Sequence, residues 1–370
     1  MRSASREVDI VCLCNTHGIG GAQLNAGMLA QQFELRGFRA ALGFLFEREV
    51  TSAHGHEDVF IITDRAPGSA AEVLRFAGKC YREISRRKPR AIIGFQPASN
   101  AISALVASAI PGCAAIASQR NPASFQSRLG RISDKAMGSV GLYRSNIAVS
   151  HAVASSYNGY PEPYLKRLHV VHNATPPLPD PAEDRIQSRK RLGIPPEQRA
   201  IGCIGRLHPQ KSFLTAILAH AQLPADIHLY LAGEGPELDF LRHAAESSGT
   251  AARVHFVGSL TGFDIARFYR AIDILLFTSI YEGFGRVLIE ALSEGVPVVS
   301  NDIPIAREVA GNAAVFCSGQ DDWAPVALNL LENEAERTIL SAKGRARASR
   351  FTIDSMVDAY LELSGLTATV

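Results

Sequence analysis

Short runs of β-branched and small apolar residues alternate along the chain with longer segments in which apolar residues recur every three or four positions. VDIVCLC (8–14), AALGFLF (40–46), AIIGF (91–95), AAIAS (114–118), NIAVS (146–150) and HVVHN (169–173) have the length and composition of strands. Helix candidates lie between several of them, such as AQLNAGMLAQQFELRG, where Leu24, Met28, Leu29 and Phe33 recur at core spacing and Gly37 supplies a stop. Strands that alternate with helices predict a parallel sheet covered on both faces. The proline-rich stretch NATPPLPDPAEDR (173–185) interrupts the pattern and reads as a linker. Beyond it the alternation restarts with AIGCIGR (200–206), IHLYLAG (227–233), VHFVGS (254–259), DILLFTS (273–279), VPVVSN (296–301) and AAVFC (313–317). The prediction is two doubly wound, Rossmann-like α/β domains in tandem, residues 1–172 and 186–350, with no evident repeat between them. In the final segment, 351–370, Ile353, Met356, Val357, Tyr360 and Leu361 share one face and predict a docking helix.

Length agrees with this division, since 370 residues are more than one ordinary core organises. The composition, 46% hydrophobic and 20% charged, is that of a water-soluble globular chain. The net charge of +2 hides an asymmetry: residues 1–172 hold 20 Lys and Arg against 12 Asp and Glu, and the rest holds 18 against 24. A basic half offers a face to phosphate-rich partners or anionic lipid, or is simply a solvated surface. Cys12 and Cys14 alternate with apolar residues, so a buried strand explains them better than metal or redox chemistry, and six cysteines in this length form no disulfide framework. No apolar run reaches the roughly 18 residues of a membrane span, and the N-terminus carries no signal-like segment. These features point to a reducing, cytoplasmic setting.

The densest chemistry is SIYEGFGRVLIEALSEGVPVVS (279–300). Here a strand ends just before Glu282, Gly283, Phe284 and Gly285, and a helical segment containing Glu290 follows, stopped by Gly295. Ligands gather at the carboxyl ends of parallel strands. The glycines let a ligand approach the backbone, and the helix start suits a phosphate. Carboxylates beside a phosphate repel it, so the partners of Glu282 and Glu290 are hydroxyls. A phosphate flanked by hydroxyl-rich groups describes a nucleotide sugar. CIGRLHPQKS adds Arg206 and Lys211, two cations in a loop after another strand that suit a diphosphate, and LAGEGPE adds Gly233 and Gly235 after a third.

In combination, G-R-L-x-x-x-K, G-E-G-P, V-x-F-x-G and E-G-F-G-x-x-x-x-E followed by A-L-S-E-G-V-P-V-V-S resemble glycosyltransferase family 4, whose members are retaining enzymes of GT-B fold. The resemblance runs from about residue 200 to 317, and more loosely through G-I-G-G-A-Q, N-I-A-V-S and V-V-H-N-A in the first domain. It implies two domains with a cleft between them and a last helix that crosses back to the first. It also implies that Glu282 faces the donor sugar, Glu290 the ribose hydroxyls, and Arg206 and Lys211 the diphosphate, while Gly20 and Gly21 close on the donor phosphates. The implied donor is a nucleotide-diphosphate sugar, with UDP favoured, and the acceptor a glycan or lipid-linked glycan.

No D-x-D sequence is present, so a site that needs neither a metal nor another cofactor is expected. His54 and His56 form an H-x-H in a polar loop without further ligands and read as surface histidines. Where many family members carry a histidine after a middle strand, this chain has SQRNP, leaving Arg120 and Asn121 as candidates for acceptor or phosphate contact, or for a loop role. His151, at a helix start, is a further candidate. REISRRKPR (82–90) reads as a solvated helix end. SRLGRISDKAMGSVGLYR (127–144) mixes basic and apolar residues and fits either an anionic membrane surface or core-facing amphipathicity. No aromatic-interleaved basic platform suggests nucleic acid. Three rivals stand beside the transferase: a nicotinamide enzyme, whose G-x-G-x-x-G fails because Gln23 occupies its last position; a GT-B sugar-nucleotide epimerase; and a non-catalytic nucleotide-sugar-binding protein.

Overall fold

Two all-parallel sheets organise the chain in a computed structural model that describes residues 7–17, 21–47, 56 and 58–366. Contacts divide the chain into Met1–Asn173 with Ile353–Val370, and Ala174–Thr352. In the first unit the strands are β1 (Ile10–Thr16), β2 (Ala40–Phe46), β3 (Val59–Thr63), β4 (Ala91–Gly94), β5 (Ala114–Gln119), β6 (Ser145–Ala148) and β7 (Leu168–Val170). They lie in the order β3-β2-β1-β4-β5-β6-β7. Helices α1 (Gly21–Leu35), α2 (Ala70–Ser85), α3 (Pro97–Ser108) and α4 (Arg128–Ser139) make the crossovers. Layers on both faces explain why β1 is apolar without alternation: Ile10 through Cys14 are all fully buried. Burial also pushes the Cys14 thiol up to about 12, which leaves it inert as a nucleophile.

The final helix, Ile353–Ser364, belongs to this first unit. Met356, Val357, Tyr360 and Leu361 are buried, and the Tyr360 hydroxyl lies 2.9 Å from Ser118 Oγ at the end of β5. On its exposed side Asp354 and Asp358 reach Arg36, at 2.6 and 3.3 Å.

The second unit has β8 (Arg199–Ile204), β9 (Ile227–Ala232), β10 (Val254–Gly258), β11 (Ile274–Phe277), β12 (Val298–Asn301) and β13 (Ala314–Cys317), in the order β10-β9-β8-β11-β12-β13. β8 and β11 are neighbours, with Ile201 opposite Ile274 and Gly202 opposite Leu275. The chain winds outward from β8 in one direction and from β11 in the other, so the switch point of the sheet falls between them and opens a crevice at their carboxyl ends.

Three local expectations need correction. β3 is a strand the apolar pattern left unassigned; it is a five-residue edge strand whose alternate residues are only half-buried. Arg87 is buried rather than solvated: its guanidinium donates to Asp58 Oδ1 at 3.1 Å and lies 4.0 Å above the Phe60 ring. His56 is likewise buried, 3.7 Å from Glu34, whereas His54 lies outside the described residues.

Burial lowers His220 to about 4; its Nε2 lies 2.9 Å from the Ile227 carbonyl, and its Nδ1 has no hydrogen-bond partner. The folded pKa lies below the unfolded value of about 6.5. The neutral ring therefore contributes its full stability above that pH, and the contribution is lost as pH falls toward 4. Replacing His220 by Gln should flatten the decline in unfolding free energy between those pH values, measured by urea titration. Equal slopes for the two proteins would remove His220 from the acid response.

Candidate functional site

The crevice of the second unit is built by the loops that follow β8, β9 and β11. After β8 the chain passes through Gly205, Arg206, Leu207 and His208 into a 3-10 turn, Pro209–Lys211, and then through Ser212 in a left-handed conformation (φ 50°). Such a conformation in a non-glycine residue costs about 1–3 kcal/mol and is held by its surroundings. The stem of Lys211 passes over Gly205, where an added Cβ would stand 3.1 Å from Lys211 Cε.

The glycines after β9 have a steric role. A Cβ on Gly233 would lie 1.8 Å from the Gly205 carbonyl oxygen, and one on Gly235 would lie 2.2 Å from that of Leu207. The closeness is fixed by backbone hydrogen bonds: Gly205 N donates to Ala232 O at 2.9 Å, Leu207 N to Glu234 O at 2.9 Å and Glu237 N to Leu207 O at 3.1 Å. Gly233 and Gly235 thus hold the loop that carries Arg206.

The loop after β11 is clamped to the same turn. Thr278 Oγ1 donates to Lys211 O at 2.7 Å, Ile280 N to Gln210 O at 2.9 Å, and Gln210 Nε2 to Tyr281 O at 3.0 Å. Asn301 Nδ2 supports the loop from β12 by donating to Ser279 O at 3.1 Å. Consequently Lys211 Nζ meets Glu282 Oε1 at 2.5 Å, and Ser279 Oγ donates to the same oxygen at 3.0 Å. Both members of the ion pair are largely out of water, with side chains 16% and 12% exposed. Removing one member of such a desolvated pair leaves the other charge uncompensated.

Gly283, Phe284 and Gly285 are buried, and Phe284 packs edge-on against Phe351. Gly285 has left-handed torsions (φ 80°, ψ 58°) and caps the helix Arg286–Glu294, whose first turn has no acid and no side-chain cap. Its first N–H groups and positive dipole end suit an external anion. Glu290, one turn inside that helix, is 5% exposed. It accepts from Arg286 Nε at 2.7 Å and from the Tyr269 hydroxyl at 3.1 Å. Burial, then the charge of Glu290, pushes the Tyr269 phenol far up, so it remains a donor. Lys211 and Glu282 are therefore brought together, while Glu290 is held by a different set of partners. Arg206 is exposed and has no carboxylate partner among the described residues.

In the first unit, Gly20 lies outside the described residues and Gly21 is the exposed first residue of α1. Arg120 follows β5 and donates to Asn25 Oδ1 at 3.0 Å and Asn173 Oδ1 at 3.2 Å, with its guanidinium 5.9 Å above the Phe95 ring. Burial lowers its pKa, opposed by Tyr360. Asn121 is exposed in the bend that follows. His151 is the exposed first residue of the helix His151–Ser155, its ring edge-on to His172 at 5.5 Å.

Sequence reasoning missed the residues that position the charges: Gln210, Thr278, Ser279, Asn301, Tyr269 and Arg286. Two of them are local to their partners: Arg286 stands at i, i+4 to Glu290, and Ser279 three residues before Glu282. Gln210, Thr278 and Asn301 act through backbone carbonyls of other segments, and Tyr269 reaches Glu290 from another helix.

Residues 184–347, which fall within the second unit, match the family model of glycosyl transferases group 1. Among curated proteins, D-inositol 3-phosphate glycosyltransferase of Mycobacterium marinum is 31% identical over 53% of this chain and 44% of its own length. The lipopolysaccharide core biosynthesis mannosyltransferase LpsB of Rhizobium meliloti is 30% identical over 49% of this chain and 55% of its own. The chain thus spans about half the length of the curated relatives it matches. Among solved structures, Anabaena HepE in complex with UDP and glucose aligns over 97% of this chain and 100% of its own, with a TM-score of 0.83 and 21% identity. That likeness shows the fold, which is GT-B.

Because a Cβ at Gly233 collides with a backbone oxygen that cannot rotate away, Gly233→Ala should destabilise the second unit by about 2 kcal/mol or more. A urea unfolding midpoint equal to that of the wild type would contradict the close packing described.

Proposed function

We propose that the chain is a retaining glycosyltransferase that moves a sugar from a nucleotide-diphosphate sugar, with UDP the favoured nucleotide, to a glycan or lipid-linked glycan. The reading places it in family 4, at the inner face of the cytoplasmic membrane where its acceptor is lipid-linked. The observation that carries it is the Lys211–Glu282 pair beside the unpaired Arg206 and the uncapped helix start, all on loops at the switch point of β8 and β11. Support comes from the glycosyl transferases group 1 model that residues 184–347 match and from relatives named as glycosyltransferases. The choice of UDP is supported by the complex of HepE with UDP and glucose.

In this reading the diphosphate lies against Arg206, Lys211 and the first N–H groups of the helix after Gly285. Breaking the bond between the anomeric carbon and the diphosphate oxygen puts negative charge on that oxygen, and stabilising it is the largest catalytic effect. The acceptor oxygen bonds to the anomeric carbon on the face the diphosphate leaves, and its proton passes to a departing phosphate oxygen. Glu282, already bound by an ammonium and a hydroxyl, is a poor nucleophile. Its remaining lone pairs suit a hydroxyl of the donor sugar, and those of Glu290 suit the ribose. Arg120, Asn121 and His151 are assigned to the acceptor side. Two protein cations neutralise the diphosphate, so no divalent metal is required.

A thermal-shift screen against UDP-, GDP- and ADP-sugars tests the donor: UDP-sugars should raise the melting temperature most, and no response to any of them would overturn the reading. Lys211→Ala should lower turnover on the order of 10²-fold or more; unchanged turnover would remove Lys211 from the mechanism. Activity should persist in EDTA, and a loss restored by Mg²⁺ or Mn²⁺ would contradict metal independence. Conversion of the donor without any acceptor would identify an epimerase instead.

A further inference from the structure

The outer side of α4 is apolar where an ordinary surface helix is polar. Leu129 is 79% exposed, Ile132 56%, Val140 at the C-cap 73%, and Phe125, in the turn ahead of the helix, 51%. Leu129, Ile132, Ala136 and Val140 recur at three- and four-residue spacing along one side of the helix. The inward side instead presents Ser133, Asp134 and Gly138, with Met137 half-buried. The amphipathicity visible in the sequence is therefore not directed at the core.

Charge is arranged to match. Arg128, Arg131 and Lys135 are exposed beside the apolar stripe, and no described carboxylate pairs with any of them. The only acid in α4, Asp134, is turned inward and buried, accepting from Gln119 Nε2 at 2.8 Å and from the Tyr164 hydroxyl at 2.7 Å. α3 packs between α2 and α4, and these neighbours add exposed Leu105, Leu74 and Tyr81. Scattered apolar residues on a surface need no explanation, but a stripe of this kind bordered by cations without carboxylate partners, one of them, Lys135, lying 5.4 Å over the Tyr160 ring, marks an interaction face.

We propose that this face docks on an anionic lipid bilayer, with Phe125, Leu129, Ile132 and Val140 entering the acyl boundary and Arg128, Arg131 and Lys135 meeting the headgroup phosphates. A second copy of the chain is the poorer occupant, because a two-fold contact through this face would set the same cations against each other. The proposal deepens the reading of a lipid-linked acceptor, but its test does not depend on catalysis.

The full chain is sedimented with vesicles of phosphatidylcholine alone and of phosphatidylcholine mixed with phosphatidylglycerol. It should bind the anionic vesicles, should bind the neutral ones weakly or not at all, and should be released by salt. Leu129→Glu combined with Ile132→Glu should weaken binding tenfold or more, as should Arg128→Gln, Arg131→Gln and Lys135→Gln together. All five positions are exposed, and unchanged circular dichroism melts confirm folding. Absence of binding to anionic vesicles, or equal binding by the wild type and both variants, would overturn the proposal. So would light scattering that shows a wild-type dimer split by the Leu129 and Ile132 changes. Melting-temperature shifts with UDP-sugars should be the same in the variants, so a failed membrane test leaves the donor reading standing.

Discussion

The pairing of β8 with β11 is the constraint on which the second unit's site depends. These strands lie far apart in sequence yet side by side in the sheet, where the winding direction reverses. Their carboxyl ends open a crevice that is not covered by a crossover helix. The loops that follow bring Lys211 and Glu282, 71 positions apart in sequence, into contact. Neither charge would be placed by its own loop. Thr278, Gln210 and the Ile280 amide tie the loops to each other, and Gly233 and Gly235 allow the β9 loop to press against the turn that carries Arg206.

This geometry sets the electrostatics. Lys211 is largely neutralised by Glu282, and Glu290 by Arg286, so the two ion pairs add little net charge to the crevice. Arg206 and the uncapped start of the Arg286–Glu294 helix remain positive. In the proposed reading a diphosphate meets Arg206 and the helix start as they stand, and Lys211 exchanges the Glu282 carboxylate for a phosphate oxygen. Preorganised donors are the general means by which a protein stabilises a developing anion.

Much of the fold was legible because a strand buried on both faces has to be apolar along its whole length, as Ile10 to Cys14 show. β3 escaped because it is short, lies at the sheet edge and is half-buried on one side. Lys211, Glu282 and Glu290 could each be singled out from spacing and residue type. Their pairings could not, since these depend on strand order and, for Glu290, on a tyrosine from another helix. The glycines after β9 could be located but not assigned: a glycine that cradles a ligand and one that lets two backbones touch look alike in sequence. The α4 segment left two readings open, and only the direction in which Leu129 and Ile132 point separates them.

In the proposed reading the loops after β8 and β11 form one anion site. Hydrogen exchange of the backbone amides, with and without UDP, tests it most directly. Exchange should slow both in residues 205–212 and in the segment from Gly283 to Val287 when UDP is bound. Binding of UDP with protection confined to other segments, or to only one of these two loops, would contradict it.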